Sequence, residues 1–333
     1  MTVLVTGANG QLGCWLRMVA TGSPYSHPGP QGSHPGLDPG SHFLFTDITD
    51  LSPESREMLQ NLGGEGVDLT TSRLDVTDLA AVREMVKNEG VEAIVNCAAF
   101  TNVDAAESQP EAVRLLNVQA PENLAIAMRE VNGLLIHLST DYIFGGTPCE
   151  SPIPEDFPAA PLGAYGRSKW EGEEAIRKVG CRHVILRTAW LFSEFGRNFV
   201  RTMLRLTAER PQIKVVDDQR GTPTYAADLA RTILQILSKT VGHQDSHPGL
   251  DPGSLTLNYT NAGECTWYEF ACAIAEAAGR TGCEILPCRS EEFPSPVRRP
   301  AYSVLDKSRI RAALGLEIPD WRDGLRRCLA SLL

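Results

Sequence analysis

The chain is 333 residues long, 42% hydrophobic and 22% charged, which is enough to bury a large core as two lobes or one large α/β domain. Its formal net charge of -10 and pI near 5.3 exclude broad binding to nucleic acid or acidic membranes, because both require a basic surface that displaces counterions. The chain opens on the strand-like run Val3, Leu4, Val5 with neither a basic n-region nor an apolar h-region, and no apolar run approaches a membrane span. Nine cysteines, odd in number and without a CxxC pair, suit free thiols, and the expected location is the cytoplasm.

In chain order, TVLVT reads as a strand, a helix starts at about Leu12, and HFLFT reads as the second strand. AVREMVKNEG reads as a helix, EAIVNCAAF as a strand, PENLAIAMREV as a helix, GLLIHLST as a strand, KWEGEEAIRKV as a helix and HVILRTAWLF as a strand. Near-continuous apolar strands separated by helices predict a parallel sheet covered on both faces, the α/β, Rossmann-like doubly wound architecture. Past about Thr188 the alternation weakens, so a first domain is expected over 1–188 and a smaller α/β substrate-binding lobe over 189–333, with part of 225–260 packing back on the first domain.

Two segments break the rhythm, 22–42 and 239–254, both rich in Gly, Pro, Ser and His and sharing the nonapeptide SHPGLDPGS. Pro-Gly spacing forbids a helix or a central strand, so both read as surface loop insertions. Five of the seven histidines lie in them, but without an ordered set of carboxylate or Cys ligands at metal spacing, and no metal site is assigned.

TGANGQLG places Gly7, Gly10 and Gly13 after the first strand and at the start of a helix. In that context glycines allow a tight turn and close approach of a pyrophosphate to the helix N-terminus; a tight turn without ligand is the alternative. Asp47 follows the second strand at once, about twenty residues from the glycines once the inserted loop is discounted. It reads as an acceptor for an adenosine ribose, leaning toward NAD, or as ordinary turn chemistry. Asp75, ending the short strand in RLDVTD, reads as an acceptor for the adenine amino group or as a helix N-cap. Ala98 and Ala99 would let a cofactor lie close to the backbone, or simply pack. HLSTDYIFGG ends its strand with Ser139, Thr140, Asp141 and Tyr142 at the carboxyl edge, where open α/β sheets bind ligands.

AYGRSK then begins the helix after that edge and sets Tyr165 and Lys169 four positions apart, on one helix face over the same crevice. A phenol, with a reference pKa near 10, exchanges protons poorly at neutral pH. An ammonium one turn away stabilises the phenolate and lowers that value. With Thr140 orienting a carbonyl, these residues form a general acid beside a nicotinamide.

Together TGANGQLG, NCAAFTNVDAAE, STDYIFGG, YGRSK, RTAWLF and DDQRGTPTYAADLA resemble the extended short-chain dehydrogenase/reductases, and more narrowly their dTDP-4-dehydrorhamnose reductase branch. The resemblance runs nearly end to end, interrupted by the two Gly/Pro-rich loops, and includes 260–274 and 298–310. It implies Thr140, Tyr165 and Lys169 as the catalytic set. It implies Gln11, Leu12, Gly13, Asp75, Val76, Ala99, Phe100 and Thr101 against NADPH or NADH, with Lys169 also on the nicotinamide ribose. Thr140, Asp141 and Trp190 would face a dTDP-sugar, although Trp190 in the apolar RTAWLF also reads as core. The implied reaction reduces the 4-keto group of dTDP-4-dehydro-β-L-rhamnose to give dTDP-L-rhamnose, with Tyr165 as proton donor. Some relatives carry a glutamate two residues after the third glycine and use it in a magnesium-bridged dimer; this chain has Trp15, so a monomer or weak homodimer without metal is expected. A sugar-nucleotide epimerase or another NDP-sugar reductase is the enzymatic alternative. A binding module resembling the regulatory subunit of methionine adenosyltransferase is the non-catalytic one.

Overall fold

The computed structural model describes residues 1–21, 40–241, 254–293 and 295–333. Its first part runs β1 (Thr2–Thr6), α1 (Gln11–Ala20), β2 (His42–Asp47), α2 (Pro53–Gly63), β3 (Ser72–Arg73), α3 (Leu79–Asn88), β4 (Ala93–Asn96), α4 (Val103–Ala106), α5 (Pro110–Arg114), α6 (Ala120–Glu130), β5 (Leu134–Thr140), α7 (Ala164–Val179) and β6 (Arg182–Thr188). The rest runs β7 (Leu191–Phe192), α8 (Phe199–Glu209), β8 (Gln212–Val216), β9 (Arg220–Gly221), β10 (Thr224–Tyr225), α9 (Ala226–Val241), β11 (Ser254–Asn258), β12 (Cys265–Thr266), α10 (Trp267–Ala277), β13 (Glu284–Cys288), α11 (Ser308–Leu314) and α12 (Trp321–Leu332).

Seven strands form one parallel sheet in the order β11-β6-β5-β4-β1-β2-β3, the Rossmann-like doubly wound arrangement with its switch point between β1 and β4. Successive side chains point to opposite faces of a strand, and the apolar runs divide accordingly. Val3, Val5, Val95, Leu134 and Ile136 enter the core shared with α1, α9, α10 and α12. Leu4, Ile94 and Leu135 enter the other core, under α3, α6 and α7. Three two-stranded pairs, β7 with β10, β9 with β12 and β8 with β13, are built from the chain beyond β6, whereas β11 returns to the edge of the main sheet.

Three elements differ from their sequence expectations. HVILRTAWLF is not one strand: β6 stops at Thr188, Trp190 takes φ 49°, and β7 pairs with β10 instead. The strand in RLDVTD stops at Arg73, before Asp75, and the N-cap of α3 is Asp78, whose carboxylate accepts the N–H groups of Ala80 and Ala81. The loop boundaries also shift, since His42 and Ser254 lie in strands and α9 extends through Val241. The interiors of both proposed insertions, 22–39 and 242–253, lie outside the described residues.

α7 is the element that positions the site. Its first N–H, on Ala164, donates to Glu107 Oε1 at 2.6 Å, replacing the side-chain cap that Gly163 lacks. Gly172 lets the helix approach the chain closely, because a Cβ there would stand 2.1 Å from Asn117 O. That carbonyl belongs to a π-helical turn, Leu115–Gln119, between α5 and α6. One turn beyond Lys169, buried Glu173 takes a two-pronged hydrogen bond from Arg187 of β6 at 3.0 and 2.7 Å, and Arg177 adds a third at 2.8 Å. Burial pushes the Glu173 carboxyl up, but the Arg187 hydrogen bonds and charge outweigh it and hold the group below the usual carboxylate range.

Removing one member of this pair strands a buried charge. Glu173→Ala is expected to lower unfolding free energy by about 3–5 kcal/mol, with Glu173→Met/Arg187→Met losing less than Glu173→Ala alone. Urea denaturation of the three proteins checks it; an equal or larger loss in the double variant would show that the pair is not the source.

Candidate active site

The site is built where four strand ends and two helix starts meet. β1 ends at Thr6 and the chain turns at Gly7 (φ 63°), where a Cβ would stand 2.6 Å from Ala98 N. The glycine loop therefore lies directly on the segment after β4. Gly10 caps α1 without any side-chain hydrogen bond, leaving the positive end of the helix facing the crevice. This cradle fits a pyrophosphate.

Beside the loop, a cavity of about 790 Å³ is lined by Gly7, Gly10, Gln11, Leu12, Gly13, Asp47, Ala98, Ala99, Thr101, Thr140, Asp141, Tyr165, Lys169 and Trp190. Most residues singled out in the sequence are thus brought together. Asp75, Val76 and Phe100 are not among the lining residues. The Asp75 carboxylate accepts from Thr77 N and Oγ1 at 2.9 and 2.7 Å, Val76 is buried in the core under α3 and α6, and the backbone of Phe100 is clamped by the Asn117 amide at 2.8 and 3.1 Å. Asp47 combines both of its readings. It lines the cavity, while its carboxylate accepts Asn9 N at 3.1 Å and Thr49 N and Oγ1 at 3.0 Å.

Tyr165 and Lys169 occupy the cavity floor on one face of α7. Burial pushes the Tyr165 phenol up to about 12, against a hydrogen bond with Thr140 that lowers it. The expected lowering of the phenol by Lys169 is absent, because the Lys169 ammonium position is turned to the sheet. Its Nζ lies 2.6 Å from Leu138 O and 3.2 Å from His137 Nε2. Burial depresses Lys169 to about 8. Asp141, also buried, is pushed up to about 6 by desolvation.

Trp190 is a cavity wall rather than plain core. Its positive φ aims the indole onto Trp267, with ring centroids 3.6 Å apart and planes 11° from parallel. Sequence reasoning missed Asn9, Asn117, Arg197, Trp267 and Arg299. Arg197, Trp267 and Arg299 line the cavity, and Arg299 also borders a second cavity of about 550 Å³ that holds Arg220, Arg298 and Tyr302. The buried Nε of Arg299 has no hydrogen-bond partner among the described residues. Asn9, Trp267 and Arg299 lay inside stretches already singled out, but without a role there; Asn117 and Arg197 lay outside them and are placed by tertiary packing.

The glycine helix is docked by a buried latch. Glu194 accepts the Trp15 indole N–H at 2.8 Å and the Tyr225 hydroxyl at 2.6 Å, and the neighbouring Ser193 hydroxyl donates to Gln11 Oε1 at 3.1 Å. Position 15 thus points inward, with Trp15 almost wholly buried.

A doubly wound sheet with a glycine loop and a Tyr-x-x-x-Lys helix at its carboxyl edge defines a dinucleotide-dependent oxidoreductase of the short-chain dehydrogenase/reductase type. Within it, the chain belongs to the RmlD substrate binding domain family, whose model matches residues 1–333. It is 37% identical over 280 residues to the dTDP-4-dehydrorhamnose reductase of Burkholderia thailandensis, covering 81% of this chain and 92% of that one. It is 39% identical over 283 residues to a probable dTDP-4,6-dihydroxy-2-methyloxan-3-one 4-ketoreductase of Streptomyces antibioticus, covering 84% and 92%. Among solved structures, the dTDP-4-dehydrorhamnose reductase of Bacillus anthracis in complex with NADP aligns with a TM-score of 0.76 at 31% identity, covering 99% of this chain and 98% of that one.

Burial pushes the Glu194 carboxyl up to about 7, against the hydrogen bonds from Tyr225 and Trp15 that lower it. A carboxyl with a raised folded pKa holds a proton the unfolded chain has lost, so the wild type loses stability as pH rises from the ordinary carboxylate value through 7. Glu194→Gln lacks that slope. Its stability relative to wild type is expected to rise by roughly 1–3 kcal/mol between pH 5 and 8. Thermal unfolding across that range checks the sign, and a constant difference would contradict it.

Proposed function

We propose that this chain reduces the 4-keto group of dTDP-4-dehydro-β-L-rhamnose with NADPH or NADH, giving dTDP-L-rhamnose. The observation that carries the reading is the convergence of Thr140, Tyr165 and Lys169 with the glycine loop on one cavity. The B. thailandensis and S. antibioticus relatives, both named for reductions of dTDP-linked keto sugars, support it.

The dinucleotide fits against the uncapped N-terminus of α1, beside Ala98 and Ala99, with Asp47 toward its adenosine ribose. When bound, the reduced nicotinamide supplies the two electrons of the reduction. Tyr165 delivers the proton to the carbonyl oxygen, Thr140 orients that oxygen from the neighbouring strand end, and Lys169 holds the nicotinamide ribose as an ammonium. The diphosphate of the sugar nucleotide lies toward the second cavity, which Arg220, Arg298 and Arg299 line and where the Arg299 Nε–H has no partner among the described residues. Because Trp15 is buried in the latch, the reading is of a monomer or weak homodimer.

Purified chain supplied with dTDP-4-dehydrorhamnose is expected to oxidise one equivalent of NAD(P)H per sugar; turnover without net cofactor consumption would indicate an epimerase instead. Tyr165→Phe is expected to keep NADPH binding and to lower kcat by on the order of a hundredfold or more. Undiminished turnover would remove Tyr165 from the role of proton donor. Asp47→Ser is expected to raise the NADPH-to-NADH ratio of kcat/KM, through lost ribose-hydroxyl acceptance and relieved repulsion of the 2′-phosphate. Measured at one salt concentration, an unchanged ratio would leave Asp47 as a turn residue only.

A further inference from the structure

Under α7 the sheet carries a polar row that the reaction as described does not use. Thr6 of β1 is in register with Asn96 of β4, and Asn96 with His137 of β5, all three buried on the face that carries Leu4, Ile94 and Leu135. The row ends on Lys169.

Its hydrogen bonds have only one consistent direction. Ala98 N is a backbone donor that cannot reverse, and it meets Asn96 Oδ1 at 3.2 Å; the Thr6 hydroxyl meets the same oxygen at 2.7 Å. The Asn96 amide is therefore oriented with Nδ2 toward His137 Nδ1, 2.9 Å away, and donates to it. His137 Nδ1 is then an acceptor. Burial, the largest cause, keeps this imidazole neutral. Its single proton sits on Nε2, and that N–H points at Lys169 Nζ across 3.2 Å. An ammonium there would set two donors against each other. A neutral amine accepts from His137 and still donates to Leu138 O at 2.6 Å.

We infer that His137 is a positioning residue that, oriented by Asn96, donates its Nε2–H to Lys169 and favours the neutral amine over the ammonium in the cofactor-free protein. The other groups facing Lys169 do not reverse this. On its own helix, Tyr165 is a buried neutral phenol, and Glu173 is engaged by Arg187 of β6 and by Arg177. From the end of β4 comes Cys97, a buried thiol pushed up to about 12. From β6 comes His183, which bears on His137 and is itself lowered by burial.

The consequence for cofactor rests on the proposed function. If the nicotinamide ribose requires the ammonium, binding takes up one proton above the free-protein midpoint of Lys169 and none well below it. Affinity is then constant below the free-protein midpoint of Lys169, near 8, and falls above it by up to tenfold per pH unit.

The test uses the cofactor-free full chain with 13Cε-labelled lysine and 15N-labelled histidine, Lys169→Arg identifying the lysine resonance. The expected results are a protonated Nε2 on His137 and a Lys169 midpoint at or below about 8, against about 10.4 for an ordinary lysine. His137→Phe removes the donated N–H and is expected to raise the midpoint by roughly one unit or more. If the imidazole instead accepts from an ammonium, that substitution lowers it. A proton on Nδ1, or a midpoint that falls in His137→Phe, overturns the inference, and the imidazole readout needs no variant to fold. NADPH affinity is measured separately by titration between pH 7 and 9. A flat profile with the expected lysine midpoint would count against the ribose-binding role of Lys169 and leave the His137 assignment standing.

Discussion

The geometry of the site depends on where α7 lies, and α7 is held by the fork between Glu173 and Arg187. A helix packed only through apolar contacts can slide by fractions of a turn at modest cost, whereas a buried carboxylate gripped at both oxygens has one position. Arg187 is itself fixed, donating to Glu155 O at 2.7 Å and lying 5.0 Å from the Phe144 ring centre. Fixing Glu173 to β6 sets the height of Lys169 one turn earlier and of Tyr165 two turns earlier. The opposite end is set by Glu107, which accepts from Ala164. The catalytic face is thus suspended between two carboxylates, one buried and one at the helix start, where its charge also meets the positive end of the dipole.

The same helix closes a polar row across the sheet. Its members come from three strands, yet they fall into line because parallel register places Thr6, Asn96 and His137 side by side. A half-satisfied row in this position would be costly. No buried side-chain nitrogen or oxygen of the row lacks a partner, and the direction of the chain is set by the peptide N–H of Ala98, whose residue also lines the cofactor cavity. Strand register, side-chain tautomer and the charge state of a lysine are therefore one connected property.

Much of this was legible in the sequence, for reasons that can be named. Tyr165 and Lys169 are local in sequence, the glycine loop is a contiguous motif at a strand-to-helix turn, and Thr140 ends an apolar run. What depends on distant partners was not legible. Asn96 and His137 sat within runs read as strand, and their role appears only once residues 41 apart become neighbours. The break after β6 was hidden because RTAWLF is apolar throughout, while the positive φ of Trp190 is held by stacking on Trp267, which belongs to α10. Val76 and Phe100 carried roles by resemblance alone and Asp75 also by its place after a short strand, and local hydrogen bonds or core packing keep all three off the cavity wall. The ends of the Gly/Pro-rich segments moved by a few residues because strand pairing and α9 persist to their edges.

The net charge of -10 and the anionic ligands proposed for this site are reconciled by distance. Exposed carboxylates beyond about a Debye length, near 8 Å at physiological salt, contribute little at the cavity, whereas donors inside it act at contact range. Those donors are of two kinds. The glycine loop offers peptide N–H groups at an uncapped helix start, which hold partial positive charge at any pH. Arg197 and Arg299 line the main cavity and Arg220 and Arg298 the second, and guanidinium groups keep their charge throughout the physiological range. Lys169 is the exception among the cations lining the two cavities, the one whose charge burial has made negotiable. It is also the cation beside the proposed proton donor, so the field felt by Tyr165 can change when cofactor enters while the field that attracts phosphate does not. An acidic surface then serves to exclude polyanions such as nucleic acid, which need an extended basic face, without weakening a pocket that recognises single nucleotides.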